Sequence, residues 1–261
     1  MTRQAFFELI WQLTKRDVVG RYKGSVLGIG WSFVNPLLML ALYTFVFSGI
    51  FKAKWPGVQH GSDMMFAVNL FAGLIVINML AEVAAKSTTL IVSNANYVKR
   101  VIFPLEALSI VTVLSAAFHA IISIVLLLAF KIIAGGAVSF SVITIPIIWI
   151  PLLIFSLGLS LILSSLGVFI RDMSMIVNVG ISLMLFLSPV FFPASAYPQR
   201  WKPILSLNPL VGMIEEMRTV VVSNQWPNVA SIIWPAILSI TFTYLAYRLF
   251  TKSRRAFADV L

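Results

Sequence analysis

Groups capable of acid–base or metal chemistry are few in this chain. The acidic residues number nine: Glu8, Asp17, Asp63, Glu82, Glu106, Asp172, Glu215, Glu216 and Asp259. Group transfer from a lipid-linked or nucleotide sugar calls for closely spaced carboxylates that share a metal or divide acid and base roles. No such aspartate pair is present, and the one adjacent pair, Glu215 and Glu216, would point about 100° apart on a helix. The two histidines, His60 and His119, are distant in sequence and belong to no ligand motif. Cysteine is absent, which removes thiolate catalysis and cysteine-held metal. No GxxxxGK[ST] loop is present to cradle nucleotide phosphates. Ion-coupled transport wants ionisable side chains at mid-membrane depth. The charges fall instead at the ends of apolar runs, and His119, alone in mid-run, reads as an interhelical hydrogen-bonder. An enzyme with catalytic residues, a metal site or a self-sufficient motor is therefore not expected.

The elements that carry these residues are apolar. Of 261 residues, 60% are hydrophobic and 11% charged, with a mean hydropathy of +0.98. An ordinary soluble domain is about a quarter charged, so the composition is that of an integral membrane protein. Runs over roughly 31–51, 64–85, 107–130, 143–168, 174–192 and 229–250 meet the length of about 20 residues that a spanning helix needs. The fold class expected is all-α, a polytopic membrane protein with six transmembrane helices. Thirteen of the nineteen Lys and Arg residues fall on one side if both termini are cytosolic, and this asymmetry sets the orientation. The formal charge of +10 is then a topology signal and not a mark of nucleic-acid binding.

Two segments stand outside this pattern. In residues 5–16, Phe6, Leu9, Ile10 and Leu13 recur at i, i+3, i+4 and i+7, which predicts an amphipathic helix lying in the cytosolic membrane interface. Residues 193–228 are proline-rich at the start and then read "LNPLVGMIEEMRTVVV". Asn208 can cap a helix whose first position is Pro209. The apolar runs are too short to cross, so a pair of short re-entrant outer helices is expected, with a surface amphipathic helix as the plainer alternative. The chain thus reads as one transmembrane domain over 1–261. Residues 1–30 form the cytosolic interface helix and approach, 31–192 spans one to five, 193–228 the outer segment, and 229–261 span six and a cytosolic tail.

Four stretches, "RDVVGRYKGSVLGIGWSFVNPLLM" (16–39), "VKRVIFPLEALSI" (98–110), "RDMSMIVNVGISLMLFLSPVFFP" (171–193) and "SLNPLVGMIEEMR" (206–218), occur in the order seen in a known family. The chain resembles the permease subunit of type-2 ABC exporters, more narrowly the O-antigen and polysaccharide export branch, the Wzm-like permeases. That resemblance implies a homodimer joined to two copies of a cytosolic ATPase subunit, which binds the ATP and Mg; this chain is expected to hold no cofactor itself. It implies a lipid-linked substrate, polysaccharide on undecaprenyl diphosphate, moved across the bacterial inner membrane among its lipids. Other exported substrates (teichoic acid, capsule, a drug) and a non-transport part in polysaccharide synthesis are the alternatives.

The resemblance also distributes roles. The interface helix and first cytosolic loop receive the ATPase, which points to Arg16, Arg21, Lys23, Asn94, Asn96, Lys99 and Arg100; the basic members of this set are also candidates for the lipid diphosphate. Spans one and five line the channel, so Tyr43, Phe47 and Phe51, spaced i, i+4 and i+8, together with Phe186, Phe191 and Phe192, are the candidate aromatic lining. Such rings stack on the C–H faces of sugars while tolerating many sugar sequences. Asn208, Pro209, Glu215, Glu216 and Arg218 would form an outer gate, the charged three through ion pairs at the water boundary.

Overall fold

The structure, a computed structural model, describes residues 2–51, 55, 63–98 and 103–260, and every regular element among them is helical. In chain order these are α1 (Arg3–Gly20), α2 (Trp31–Tyr43), a π-helical segment Thr44–Ile50 continuing α2, α3 (Asp63–Ser87) and α4 (Ala95–Val98). There follow α5 (Glu106–Ile133), α6 (Ile145–Phe169), α7 (Met173–Leu187), α8 (Lys202–Leu207), α9 (Pro209–Val221) and α10 (Val229–Val260). Five segments are long and apolar enough to cross a membrane: α2 with its π continuation, α3, α5, α6 and α10. The fifth expected span, placed over 174–192, is helical only as α7, 15 residues ending at Leu187. The cause is local. Pro189 cannot continue a helix and pushes the residue before it out of the helical region; Ser188 is extended, at φ −104° and ψ 151°.

The bundle is built around α3. Between Phe66 and Leu80 it is apolar on all sides and almost wholly buried, the pattern of a helix with neighbours all round. It packs against α5, α6, α9, α7 and the π segment. Inside a membrane, helices do not gain from hydrophobic transfer on associating, so close backbone approach and hydrogen bonds decide which faces meet. The small face of α6 meets both demands. Ser156, Ser160 and Ser164 are buried, and Ser87 Oγ donates to Ser160 Oγ at 2.8 Å. Thr243 of α10 donates to Ile154 O at 2.6 Å, beside Gly158, where a β-carbon would lie 2.7 Å from Thr243 Oγ1. Gly167 is tighter still: a β-carbon there would run into the carbonyl of Thr88, well inside 3.0 Å.

α1 has the predicted apolar face, but protein covers it. Ile10 and Leu13 are buried, with Phe6 and Leu9 beside them, against Ala107, Ile110 and Val111 of α5. Phe7 and Trp11, one turn apart, make a second apolar strip that stays exposed, in the residue types that settle at headgroup level. The chain then reverses toward α2 through Gly24, at φ +88°, a conformation glycine adopts without the cost a side chain would bring.

Candidate functional site

The six aromatic candidates lie near the end of the bundle at which the π segment, the turn after α7 and α9 meet. Five form a chain of ring contacts. Tyr43 and Phe47 centroids lie 6.4 Å apart, Phe47 and Phe51 5.9 Å, Phe47 and Phe191 6.3 Å, and Phe191 and Phe186 5.8 Å. Phe192 is exposed, as are Phe51 and Phe186. The π segment is what the i, i+4, i+8 spacing did not announce. Phe51 N donates to Val46 O at 3.0 Å, five residues back, a bulge type that collects at functional sites. Two rings missed at the sequence level extend the chain inward: Phe66 stacks on Phe47 at 5.4 Å, and Trp55 meets Phe66 edge-on at 5.5 Å. Nothing in the spacing of Trp55 marked it, since its partners, Phe66 of α3 and Arg218 of α9, are brought to it by the fold.

Behind this cluster stands Arg218. Its guanidinium is 4.4 Å from the centre of the Trp55 ring. It donates to Pro189 O at 2.5 Å, Val190 O at 2.6 Å, Asn69 O at 3.1 Å and Glu215 Oε1 at 3.1 Å. Expected at the water boundary, it is 4% exposed. Four of its donor contacts are met inside the protein because the fork of a guanidinium suits convergent carbonyls. Burial pulls its pKa down to about 10, with Glu215 pulling the other way, so it stays charged at neutral pH. The effect is to pin the turn Pro189–Val190, and with it Phe191, to α3 and α9.

Residues 193–228, expected as the outer segment, are arranged as follows. Asn208 caps α9 as its position predicts, accepting from Leu210 N at 3.0 Å, and its amide donates to Ser188 Oγ at 3.0 Å. Pro209 is buried at the first turn. α9 is not a surface helix: Leu210, Ile214, Met217, Val220 and Val221 are wholly buried, and it packs against α3, α6 and α10. Glu215 accepts from Ala194 N at 3.0 Å as well as from Arg218. Glu216 departs from the ion-pair expectation. It accepts from Asn228 N at 2.9 Å and from the Ser231 hydroxyl, which ties α9 to the first turn of α10 and places an acid where the helix dipole favours one. Lys131, one residue past the expected span 107–130, lies inside α5 and is only 1% exposed. Its ammonium donates to Val221 O at 2.6 Å and Asn224 Oδ1 at 2.8 Å, closing the C-terminal end of α9.

At the other end, the two expected docking segments adjoin. Arg16 Nη2 donates to Tyr97 Oη at 3.2 Å, joining α1 to α4, and Tyr97 stacks on Phe103 at 4.3 Å. Asp17 pairs with Lys86. Asn96 and Lys23 are exposed; Asn94 donates to Leu90 O at 2.9 Å, holding its own loop. Lys99 and Arg100 lie outside the described residues. Arg21 does not simply face outward: it pairs with Glu82 of α3 and approaches His119 Nδ1 of α5 at 3.1 Å. His119 Nδ1 in turn lies 2.9 Å from Glu82 Oε1. His119 is an interhelical bonder, as read, but the partner carboxylate was missed. The signal was there: Glu82 interrupts the apolar run "LIVINMLAEVAA", and a carboxylate so placed requires a partner. Beside them, burial pushes the Tyr22 hydroxyl above its ordinary value while Arg21 pulls it down.

Comparison with known proteins gives a consistent picture. A profile of the ABC-2 type transporter family matches residues 8–222. The chain is 30% identical over 259 residues to an O-antigen export system permease protein, RfbA, of Klebsiella pneumoniae, covering 98% of this chain and 95% of that one. It is 25% identical over 253 residues to the RfbA of Myxococcus xanthus, covering 96% and 94%. It is 22% identical over 244 residues to the polysialic acid transport protein KpsM of Escherichia coli, covering 92% of each.

Proposed function

This chain belongs to the ABC-2 type transporter family, and on that premise we propose that it is the multi-pass permease subunit of an ATP-driven exporter carrying O-antigen polysaccharide across the bacterial inner membrane. The observation that carries this reading is the near-full-length similarity to O-antigen export permeases. The aromatic chain at one end of the bundle supports it physically. A sliding polymer needs contacts that are repeated and weak, so that it is held but not trapped. Exposed rings at Phe51, Phe186 and Phe192, backed by part-buried Tyr43, Phe47 and Phe191, meet that requirement.

In this reading two copies of the chain flank a central axis, with α2 and α7 lining the path. Each copy engages a separate cytosolic ATPase, which binds ATP and Mg, through α1 and residues 86–106. Both termini are cytosolic, the substrate is carried on undecaprenyl diphosphate, and residues 193–228 act as the outer gate. The gate is held by Arg218 on the α7 turn and by Glu216 on α10, not by ion pairs in water. Similarity to KpsM favours, as the second reading, a capsule-type polysaccharide in place of O-antigen.

Deleting the gene in its host and locating the polymer tests the function. Finished, lipid-linked chains accumulating in the cytosol are expected. Unchanged surface polysaccharide would refute polysaccharide export, and loss of polymer on both sides, with synthesis enzymes intact, would point to a part in synthesis.

A further inference from the structure

The Arg21–Glu82–His119 cluster borders a cavity of about 280 Å³ between the α1–α2 turn, α2, α3 and α5. Trp31, Asn35 and Asn78 also line it. From Phe66 to Leu80 every residue of α3 is buried except Asn78, whose side chain is the single polar break facing open space in that run. A second cavity of about 700 Å³, bordered by Arg16, Asp17 and Lys86, shares Arg21 and Glu82 with the first. The ion pair therefore stands as a wall between a charged vestibule and an inner chamber.

We propose that the inner chamber is a binding site for one neutral sugar residue of the transported polymer, an inference that rests on the polysaccharide-export reading. The chemistry argues for a sugar over a phosphate. An anion wants uncompensated positive charge, and here the Glu82 carboxylate already occupies Arg21. What the chamber offers instead is a carboxylate and two amides, which pair with vicinal hydroxyls, beside an indole ring, which covers a C–H face. The size agrees: pockets for drug-sized ligands run from about 300 to 1,000 Å³, so this one takes a single ring and not an oligosaccharide. Glu82 then exchanges part of its bonding to Arg21 for the sugar, which opens the wall toward the vestibule.

The test places the photo-cross-linker p-benzoylphenylalanine at Asn78, at Asn35 and, as a control on an exposed part of α5, at Ile121. The full chain is expressed in its own host, irradiated, purified, and probed with antiserum against the host's surface polysaccharide. Polymer attached at 78 and 35 but not at 121 is the expected result. Glu82→Gln should cut that attachment roughly tenfold, the scale of one hydrogen bond to a charged group, at unchanged permease level. Asn35 is exposed and outside the ion cluster, so its probe answers even where a change at Glu82 or Asn78 unfolds the chain. Cross-linking to phospholipid alone at both chamber positions, or equal polymer attachment at all three, would overturn the proposal. If deletion of the gene traps polymer yet the chamber probes capture none, the chamber fails and export stands. If deletion leaves surface polymer unchanged, the export reading has failed first.

Discussion

Replacing Arg218 by methionine is the sharpest perturbation the structure offers, because it removes the guanidinium while keeping a long, flexible apolar stem. Three backbone carbonyls, those of Asn69, Pro189 and Val190, lose their donor, and Glu215 loses its ion-pair partner. Bonds to a charged donor contribute about 1.5–3 kcal/mol each. Their plain sum overstates the loss, since the mutation also removes the cost of burying the cation. Breaking a buried charge network by deleting one partner costs about 3–5 kcal/mol in practice. In a chain of this size 1 kcal/mol moves the midpoint by roughly 2–4 °C, so Arg218→Met should lower the unfolding temperature by about 6–20 °C. Intrinsic fluorescence melts of the purified protein in nanodiscs read this directly. Arg218→Lys should fall between, as an ammonium cannot reach carbonyls on two sides in the plane a guanidinium spans. Glu215→Gln keeps an acceptor for Ala194 and Arg218 but leaves the buried Arg218 cation without its counter-charge, so it should cost less than Arg218→Met, on the order of 1–3 kcal/mol. A melt for Arg218→Met within about 2 °C of the parent, which corresponds to about 0.5–1 kcal/mol, would refute the idea that this residue holds the Pro189–Val190 turn.

Two further predictions use the same logic. Tyr43→Ala with Phe47→Ala should reduce surface polymer while co-purification with the ATPase is unchanged; full surface polymer would remove the aromatic path. Gly167→Ala should drive a methyl into the Thr88 carbonyl and cost about 1–3 kcal/mol by overpacking, read as a lower melting temperature, whereas Gly180→Ala, inside α7 with nothing within 4 Å, should raise it slightly, by the roughly 0.5–1 kcal/mol that separates alanine from glycine in a helix.

Five of the six expected spans, the cap at Asn208 and the apolar face of α1 were legible because each depends on local chemistry: run length, a capping side chain before proline, and a helical period. Long-range partners were not. Lys131 looks like a loop cation until the fold brings Val221 and Asn224 to it. Glu216 looks like half of an acidic pair until the start of α10 arrives. The i, i+4 spacing of Tyr43, Phe47 and Phe51 is legible, but the π turn among them is not, because a five-residue hydrogen bond is selected by packing against Phe66 and Phe191 and not by a sequence signal. For Glu82 and His119 the sequence showed two polar groups in apolar runs and left open that each was the other's answer.

The length of α7 carries a consequence of its own. Fifteen helical residues rise about 22 Å, some 8 Å less than a hydrocarbon core of about 30 Å. Where α7 crosses the bilayer with lipid at its side, that lipid must thin, or flanking side chains must stretch to the headgroups, at a fraction of a kcal/mol per ångström of mismatch. The cost is borne by the bilayer and changes with its composition. Longer acyl chains raise it and shorter ones relieve it, so the membrane's own thickness becomes a variable acting on the conformation of this chain.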